Sequence, residues 1–206
     1  MPGLEPYAEA LGIRTRNIYS GIRALLSLPA SGDVGAVSNL NQASVHYFNF
    51  YLGIDDLIEG GVSYSKKYSA GFQQGSWRQF LNPGQPSAAS SVHFGQKVQL
   101  ELTTNAQKQV SLTLGGQIVG SYSGIGAGHV KMVIAVADAV PHGHAAQVWF
   151  SLVAFSQVKL RAAGATDWHD AGAADFQAAD HLFPHGRPGV MRQGGGLLSA
   201  SIAQPG

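Results

Sequence analysis

Residues 97–104 and 110–114 alternate apolar and polar side chains at successive positions. A period of two is typical of a strand with one buried and one exposed face. The pattern places Leu100 in the first segment and Leu112 in the second on the buried face. Residues 105–109 join the two segments, so we predict an antiparallel hairpin whose leucines enter a hydrophobic core.

Residues 45–54 read VHYFNFYLGI and are rich in aromatic and β-branched residues, which favour strands. Both faces of this segment are apolar, which predicts a strand in the middle of a sheet with both faces covered. Residues 2–10 are expected to form a turn or a short helix, and residues 83–91 a loop. Similar apolar segments predict further strands, the last of them returning beside the first, at residues 17–28, 117–122, 129–137, 147–160 and 197–202.

The aromatic residues are most concentrated in residues 59–82, which begin at a Gly-Gly pair and end at Asn-Pro-Gly. Both of these ends are turn signals. Tyr64 and Tyr68 are separated by an even number of positions, so an extended strand carries both rings on one face. A small turn at residues 71–75 returns Trp77 beside this strand. We therefore predict an aromatic hairpin inside a sheet.

These segments together predict an all-β fold, an antiparallel two-sheet jelly-roll sandwich built as a single domain over residues 1–206. The 27 glycines suit turns and strands better than helices. Charged residues make up 12% of the chain, against roughly 25% in an ordinary globular domain. Long surface helices rich in Glu and Lys are therefore not expected.

The charge balance excludes some classes of partner. The chain has 13 Lys and Arg against 12 Asp and Glu, and these residues are scattered, so no concentrated basic face for nucleic acid is expected. No apolar run approaches the ~20 residues that span a bilayer. The chain has no cysteine, so disulfides do not indicate a compartment. Low charge, high glycine content and polar strands favour a secreted protein, with its signal peptide removed, over a cytoplasmic one.

Four short segments carry a resemblance to known proteins: Gly-Val-Ser-Tyr-Ser at 61–65, Trp-Arg-Gln-Phe at 77–80, and the alternating strands that begin at Gly95 and Val110. Their order resembles concanavalin-A-like jelly-roll domains and, more narrowly, is similar to YrpD-like secreted bacterial proteins. The resemblance covers roughly residues 45–160. It implies a bent sandwich whose concave sheet carries the aromatic strand, and it implies no defined activity.

The aromatic hairpin also combines rings with amide, hydroxyl and cationic side chains. Rings stack on the apolar faces of sugars and the polar groups bind sugar hydroxyls, so a ligand groove is expected on the concave sheet. The predicted lining residues are Tyr64, Lys66, Tyr68, Trp77, Arg78 and Gln79. This predicts a lectin-like, non-catalytic carbohydrate-binding module whose partner is a glycan or polysaccharide. A homo-oligomer is a further expectation.

Two other functional classes remain open. One is a carbohydrate-active enzyme, either a polysaccharide lyase or a glycoside hydrolase with an unusual site, and the other is a structural or assembly protein with exposed aromatic faces. Retaining glycosidases need two carboxyl groups about 5 Å apart. Asp55 and Asp56 lie near Glu59 in sequence, and we interpret them as a loop connection. No strand pattern of paired carboxylates is formed by the glutamates Glu5, Glu9, Glu59 and Glu101.

Histidine and aspartate collect at His142, at His144 and within residues 167–185. Imidazole and carboxylate groups bind zinc or calcium in proteins. No His-Glu-x-x-His or paired-cysteine spacing accompanies them. The sequence therefore predicts no cofactor and assigns no metal ligands, with a calcium ion held by loop aspartates as the open alternative.

Overall fold

The computed structural model describes residues 4–30, 34–36, 46–67, 76–141, 148–182 and 191–202. A single 3-10 turn, Ala173–Asp175, is the helical element within these ranges. The strands, in chain order, are β1 (Leu4–Ser27), β2 (Val34–Ala36), β3 (His46–Ile54), β4 (Ile58–Lys67), β5 (Ser76–Asn82), β6 (Gln85–Ala89), β7 (Lys97–Thr104), β8 (Gln109–Leu114), β9 (Gln117–Ser123), β10 (Gly128–Pro141), β11 (Val148–Ala162), β12 (His169–Asp170), β13 (Asp180–Leu182), β14 (Met191–Gln193) and β15 (Leu198–Ile202).

The long first strand, β1, belongs to two sheets. A register shift between Arg14 and Ile18 divides it. Its first half pairs with β10 and, at residues 10–12, with β13, while its second half pairs with β7 and β11. The front sheet therefore has the order β13-β1-β10-β3-β4-β5-β6, and the back sheet has the order β14-β15-β11-β1-β7-β8-β9. Every pairing named here is antiparallel.

The core lies between these two sheets. Phe48 and Phe50 of β3 are buried and approach Phe150 of β11 with ring centroids 5.5 and 6.0 Å away, in edge-to-face arrangements. Such geometries are preferred by aromatic pairs. Leu100 and Leu112 are also buried, as the alternating pattern predicts. The predicted antiparallel two-sheet jelly-roll sandwich is confirmed.

Most predicted strands are present, with three differences. Residues 4–10 continue β1 rather than form a turn or a short helix, because pairing with β10 extends along them. Residues 85–89 form β6 on the edge of the front sheet, inside a predicted loop. The last strand, β15, pairs with β11 and β14 instead of β1. Each difference depends on a distant strand, which local sequence does not reveal.

The two central predictions about the front sheet are confirmed. β3 lies between β10 and β4, so the apolar segment at residues 46–54 is an interior strand, although only the face with Phe48, Phe50 and Leu52 packs into the core and the predicted cover of both faces is not found. β4 and β5 pair antiparallel and each has a second neighbour, which gives the predicted hairpin inside a sheet. The turn of that hairpin, residues 68–75, lies outside the described residues. The part of the chain described here contains no helix long and apolar enough to cross a membrane.

Candidate functional site

The outer face of the front sheet is the side turned away from the core. Phe50 and Leu52 of β3 point inward, so alternation along the strand sends Tyr51 and Gly53 outward. The same alternation applies to β10 and β4, which pair with β3 on either side, and to β1, which pairs with β10. Much of this face is a floor of small residues, namely Ala10, Gly12, Gly53, Gly61, Ser63 and Ala135.

Lys131 crosses this floor to reach an acid two strands away. It lies on β10 opposite Gly53, and Gly53 lies opposite Glu59 on β4. A Cβ atom at Gly53 would stand 2.5 Å from Lys131 Cε, so the lysine chain passes directly over the glycine. Lys131 Nζ then donates to Glu59 Oε1 at 2.7 Å. The lysine side chain is only 11% exposed, and a cation this buried requires a paired acid.

Tyr51 lies on β3 directly opposite Gly61 of β4, a second glycine of the floor. A Cβ atom at Gly61 would approach the backbone of Tyr51 itself, and the Tyr51 ring meets Phe80 at a centroid distance of 6.1 Å. Burial is the main cause that raises the pKa of Tyr51, followed by the negative charge of Glu59 and by the hydrogen bond that the phenol donates to it. The phenol therefore stays protonated and acts as a hydrogen-bond donor.

Asp56 completes the charged cluster from the turn between β3 and β4. Its Oδ1 accepts hydrogen bonds from Lys131 Nζ at 3.1 Å and from Arg14 Nη2 at 2.7 Å. The hydrogen bond from Lys131, together with the charges of Lys131 and Arg14, lowers the pKa of Asp56, although burial opposes the shift. Asp56 is therefore a carboxylate that stays ionised into acidic conditions.

A cleft of about 300 Å³ opens beside this cluster. One side is formed by Tyr51, Asp56 and Lys131, and the other by Gln177, Ala178 and Asp180, which lie along the edge of β1 opposite β10. This second wall is anchored by the hydrogen bond that Gln177 N donates to Arg14 O at 2.8 Å and by the pairing of β13 with β1. Gln177 and Asp180 place an amide and a second carboxyl group in the cleft lining.

This arrangement combines the groups that acyl-transfer chemistry requires. Asp56 and Asp180 are carboxyl groups that can exchange protons, and Lys131, Arg14 and the Tyr51 phenol are donors that stabilise negative charge on oxygen. An ammonium has three N–H donors. Two of them are used by the carboxylates of Asp56 and Glu59, which leaves one for a bound ligand.

The structure separates the residues that the sequence grouped into a glycan groove. Tyr64 and Trp77 lie on the core face, 7% and 6% exposed, with ring centroids 5.1 Å apart. Phe94 covers both rings at 4.7 and 5.3 Å. Burial raises the pKa of the Tyr64 phenol. These two rings therefore close one part of the core and do not stack on a ligand at an open surface, because the strand face that carries them is the face packed inward.

The remaining predicted site residues are spread over different places. Arg78 points to the outer face, opposite to Trp77, and its Nε donates to Ser87 Oγ of β6 at 2.7 Å. Gln79 is partly buried on the core side, where it pairs with Val62. Lys66 belongs to β4, but its side chain lies outside the described set, and Tyr68 lies outside the described residues altogether. No single groove contains Tyr64, Trp77 and Arg78.

The candidate metal ligands are only partly described. Residues 142–147 and 183–190 lie outside the described residues, so His142, His144 and His185 are not placed. Among the residues that are placed, no three His, Asp or Glu side chains come together in a group that could hold a metal ion. The Asp-rich and His-rich segment at 167–182 instead supplies pairs such as Lys159 with Asp170, 3.1 Å apart.

Sequence reasoning missed the residues of the cleft, although one signal was available. Lys131 is the one charged residue of an otherwise apolar strand segment, and a cation in that position needs an acid nearby. The acids it finds, Asp56 and Glu59, belong to the segment interpreted as a simple connection. The contributions of Arg14 and Asp180 had no local signal, because only the pairing of β1 with β10 and β13 brings them to the cleft.

Comparison with known proteins gives structural neighbours alone. No protein-family model matches the chain, and no curated protein sequence matches it. One similar structure is SCP-B, a member of the eqolisin family of peptidases, in complex with the tripeptide Ala-Ile-His: identity is 14%, the TM-score is 0.54, and the match covers 98% of this chain and 100% of that one. Another is scytalido-glutamic peptidase with a peptide-based transition-state analog: identity is 15%, the TM-score is 0.53, and the coverage is 98% and 100%.

These neighbours correct the predicted function and the predicted partner. The prediction was a lectin-like, non-catalytic module that binds glycans, whereas the similar structures are peptidases with peptide ligands. The placement of Tyr64 and Trp77 in the core gives the physical reason for the error. Aromatic residues in an alternating strand pattern fit a sandwich core as well as a sugar-binding surface, and here they fill the core.

Proposed function

We propose that this protein is a peptide hydrolase that binds an extended peptide in the cleft on the outer face of the front sheet. The observation that carries the proposal is the contact between Asp56 and Lys131, 3.1 Å apart, because both residues line the cleft. The shared fold with two peptidase structures supports the choice of a peptide over other acyl compounds.

The small residues of the floor support the binding of an extended chain. Ala10 and Gly12 line the cleft, and the nearest atom to a Cβ at Gly12 would be Val133 Cγ2 at 3.6 Å, so a backbone can approach the sheet closely there. An extended peptide rises about 3.3 Å per residue. A cleft of about 300 Å³ holds a few residues at most, so a longer substrate would extend beyond it.

In the proposed reaction, the Asp56 carboxylate removes a proton from water, and the water oxygen forms a bond to the peptide carbonyl carbon. The carbonyl oxygen becomes an oxyanion, which the remaining N–H of Lys131 and the Arg14 guanidinium stabilise. When the C–N bond breaks, the leaving amine takes a proton from Asp180 on the opposite wall, and the proton that Asp56 removed from water passes to Asp180 through solvent, which restores both groups. One water is consumed for each bond cleaved, and two peptides are released.

The charge environment of Asp56 sets the pH range of this reaction. Its lowered pKa keeps the base ionised in acidic solution, and general-base catalysis is most efficient near the pKa of the base. We therefore propose an acidic optimum. An extracellular location, in which acidic media occur, remains part of the proposal and fits the low content of charged residues.

The test is cleavage of a denatured protein substrate at pH 3 to 7, with the products read by mass spectrometry. The wild type should release peptides fastest in the acidic part of this range. Asp56→Asn should lower the rate by about 10²–10⁴-fold, the usual contribution of a general base. Asp167→Asn is the matched control, because Asp167 is exposed and does not line the cleft. Equal rates for wild type and Asp56→Asn, or no cleavage at any pH, would overturn the proposal.

Peptide binding without turnover is a second candidate, and one observation favours it. Both Lys131 and Arg14 donate to the same oxygen of Asp56, which weakens that carboxylate as a base. In this case a fluorescent peptide should bind to the wild type, lose affinity in Lys131→Met, and remain intact after long incubation. Product peptides from the wild type that are missing in Asp56→Asn would exclude this candidate.

A further inference from the structure

A second cavity, of about 470 Å³, lies away from the cleft. It is formed where the loop between β7 and β8, the connection before β10 and the end of β11 meet, and it includes Ser20, Thr104, Lys108 and Arg161. It shares no lining residue with the cleft on the front sheet. Its lining carries two cations and no carboxylate.

Arg161 is held at this cavity by neutral groups. Its Nε donates to Ser20 Oγ at 3.1 Å, and its Nη2 donates to Ser20 O at 3.2 Å and to Thr104 O at 2.9 Å. These bonds fix the plane of the guanidinium, and no salt bridge within the described ranges compensates its positive charge. Other N–H groups of its five-donor fork remain for a ligand.

Arg23, which lies near Arg161, differs from it in having an acidic partner. Arg23 and Arg161 lie 4.3 and 5.5 Å from the centre of the Trp168 ring, so the indole lies near both guanidinium groups. Arg23 is neutralised by Glu101, with Nε and Oε2 2.6 Å apart. Arg161 has no such acid among the described residues.

Lys108 supplies the second cation from a fixed backbone. Its N–H donates to Asn105 O at 3.0 Å, and its carbonyl oxygen accepts from the N–H groups of Gly124 at 2.8 Å and Ile125 at 3.1 Å. The side chain is exposed, and within the described part of the chain it forms no salt bridge. A loop held by these backbone hydrogen bonds therefore presents the Lys108 side chain at the rim of the cavity.

We infer that this cavity is a binding site for an oxyanion, either a phosphate group or a carboxylate. The two N–H groups of Arg161 Nη1, which the bonds to Ser20 and Thr104 leave over, donate to the oxygens of such a group, and Lys108 adds a point charge. Thr104 contributes a backbone oxygen that orients the arginine and is not a ligand itself. The bound anion would neutralise the charge of Arg161, just as the Glu101 carboxylate neutralises the charge of Arg23.

The inference is tested by thermal unfolding at pH 7 in sodium phosphate, with sodium chloride at equal ionic strength as the reference. A ligand that binds only the folded state raises Tm, and at about ten times the Kd the rise should be about 3–6 °C for a chain of this size. Lys108→Gln should abolish most of this rise. Lys97→Gln, at the opposite end of β7, is the matched control and should keep it.

Two further measurements identify the preferred anion and the place where it binds. Glutarate in place of phosphate distinguishes a carboxylate site from a phosphate site, because only the preferred group should raise Tm at the same concentration. Amide chemical-shift changes on titration with phosphate should centre on Ala106, Gly126 and Gly164, which line the cavity. Equal Tm rises for Lys108→Gln and the wild type, or shift changes elsewhere in the chain, would overturn the inference.

Discussion

At the scale of single residues, Asp56 links the stability of the protein to pH. Its folded-state pKa lies below the ordinary value of 3.8, because Lys131 and Arg14 favour the charged form. The contacts therefore add stability above the unfolded-state pKa, and that stability is lost as pH falls through the folded-state pKa. Asp56 is 77% exposed, so solvent screening keeps the effect small.

Asp56→Asn should therefore lower Tm slightly at pH 6 to 7, and the difference from wild type should shrink as the pH falls below about 4. Thermal unfolding of both proteins across pH 2.5 to 7 measures this. A difference that grows towards acidic pH would contradict the sign of the pKa shift.

The second residue-scale prediction concerns Trp77. Its indole is buried against Tyr64, Phe94 and Phe50, so Trp77→Ala should lower the free energy of unfolding by about 3–5 kcal/mol. Trp77→Phe keeps most ring contacts and should lower it less. Urea denaturation measures both values. Leu57→Ala is the control, because Leu57 is 58% exposed and should change stability by less than about 0.5 kcal/mol. A Trp77→Ala protein as stable as this control would place the ring at the surface.

At the scale of strands, two glycines allow β10, β3 and β4 to build the charged cluster. A Cβ at Gly53 would meet Lys131 Cε at 2.5 Å and the backbone oxygen of Ile58 at 3.0 Å. Gly61 is closer still to rigid atoms, namely Phe50 O and Tyr51 Cα. These positions therefore require glycine because neighbouring chains pass over them.

Gly53→Ala should cost about 1–3 kcal/mol of stability and should displace Lys131 from Glu59, since overpacking forces neighbours to move. Gly61→Ala should cost more, because backbone rather than a flexible side chain must give way. Gly12→Ala on the same face is the control, since its nearest atom, Val133 Cγ2, stands at an ordinary 3.6 Å. Chemical denaturation ranks the three variants. Equal costs for Gly12→Ala and Gly61→Ala would show that strand packing on this face is loose.

The strands also show what sequence can and cannot predict here. The alternation of apolar and polar residues correctly predicted β7, β8 and the burial of Leu100 and Leu112. This was possible because the alternation can be read within a single strand, without knowledge of its neighbours. The same alternation placed Tyr64 and Tyr68 on one face of a strand, with Trp77 returned beside it by a turn, without stating which face is inward. Which face of a strand points into the core is decided by the sheet that packs against it. The cleft depends on contacts between residues that are distant in sequence, such as Arg14 and Asp56.

At the scale of the whole molecule, β1 joins the two sheets, and each candidate site lies beside a different half of it. Arg14 precedes the register shift and belongs to the cleft, and Ser20 follows it and belongs to the second cavity. The sandwich therefore supplies two separate places for ligands. A variant at one place, such as Lys108→Gln, should leave the other unaffected, and this separates the two proposals experimentally.

A crystal structure with a bound peptide-based transition-state analog would show directly whether this cleft is the peptide site. We expect the analog to lie between Tyr51 and Gln177, Ala178 and Asp180, with the oxygen that represents the oxyanion within hydrogen-bond distance of Lys131 Nζ. The Asp56→Asn protein should bind the analog in the same place. An analog bound on another surface, or one that makes no contact with Lys131 and Asp56, would contradict the assignment of this cleft as the peptide site.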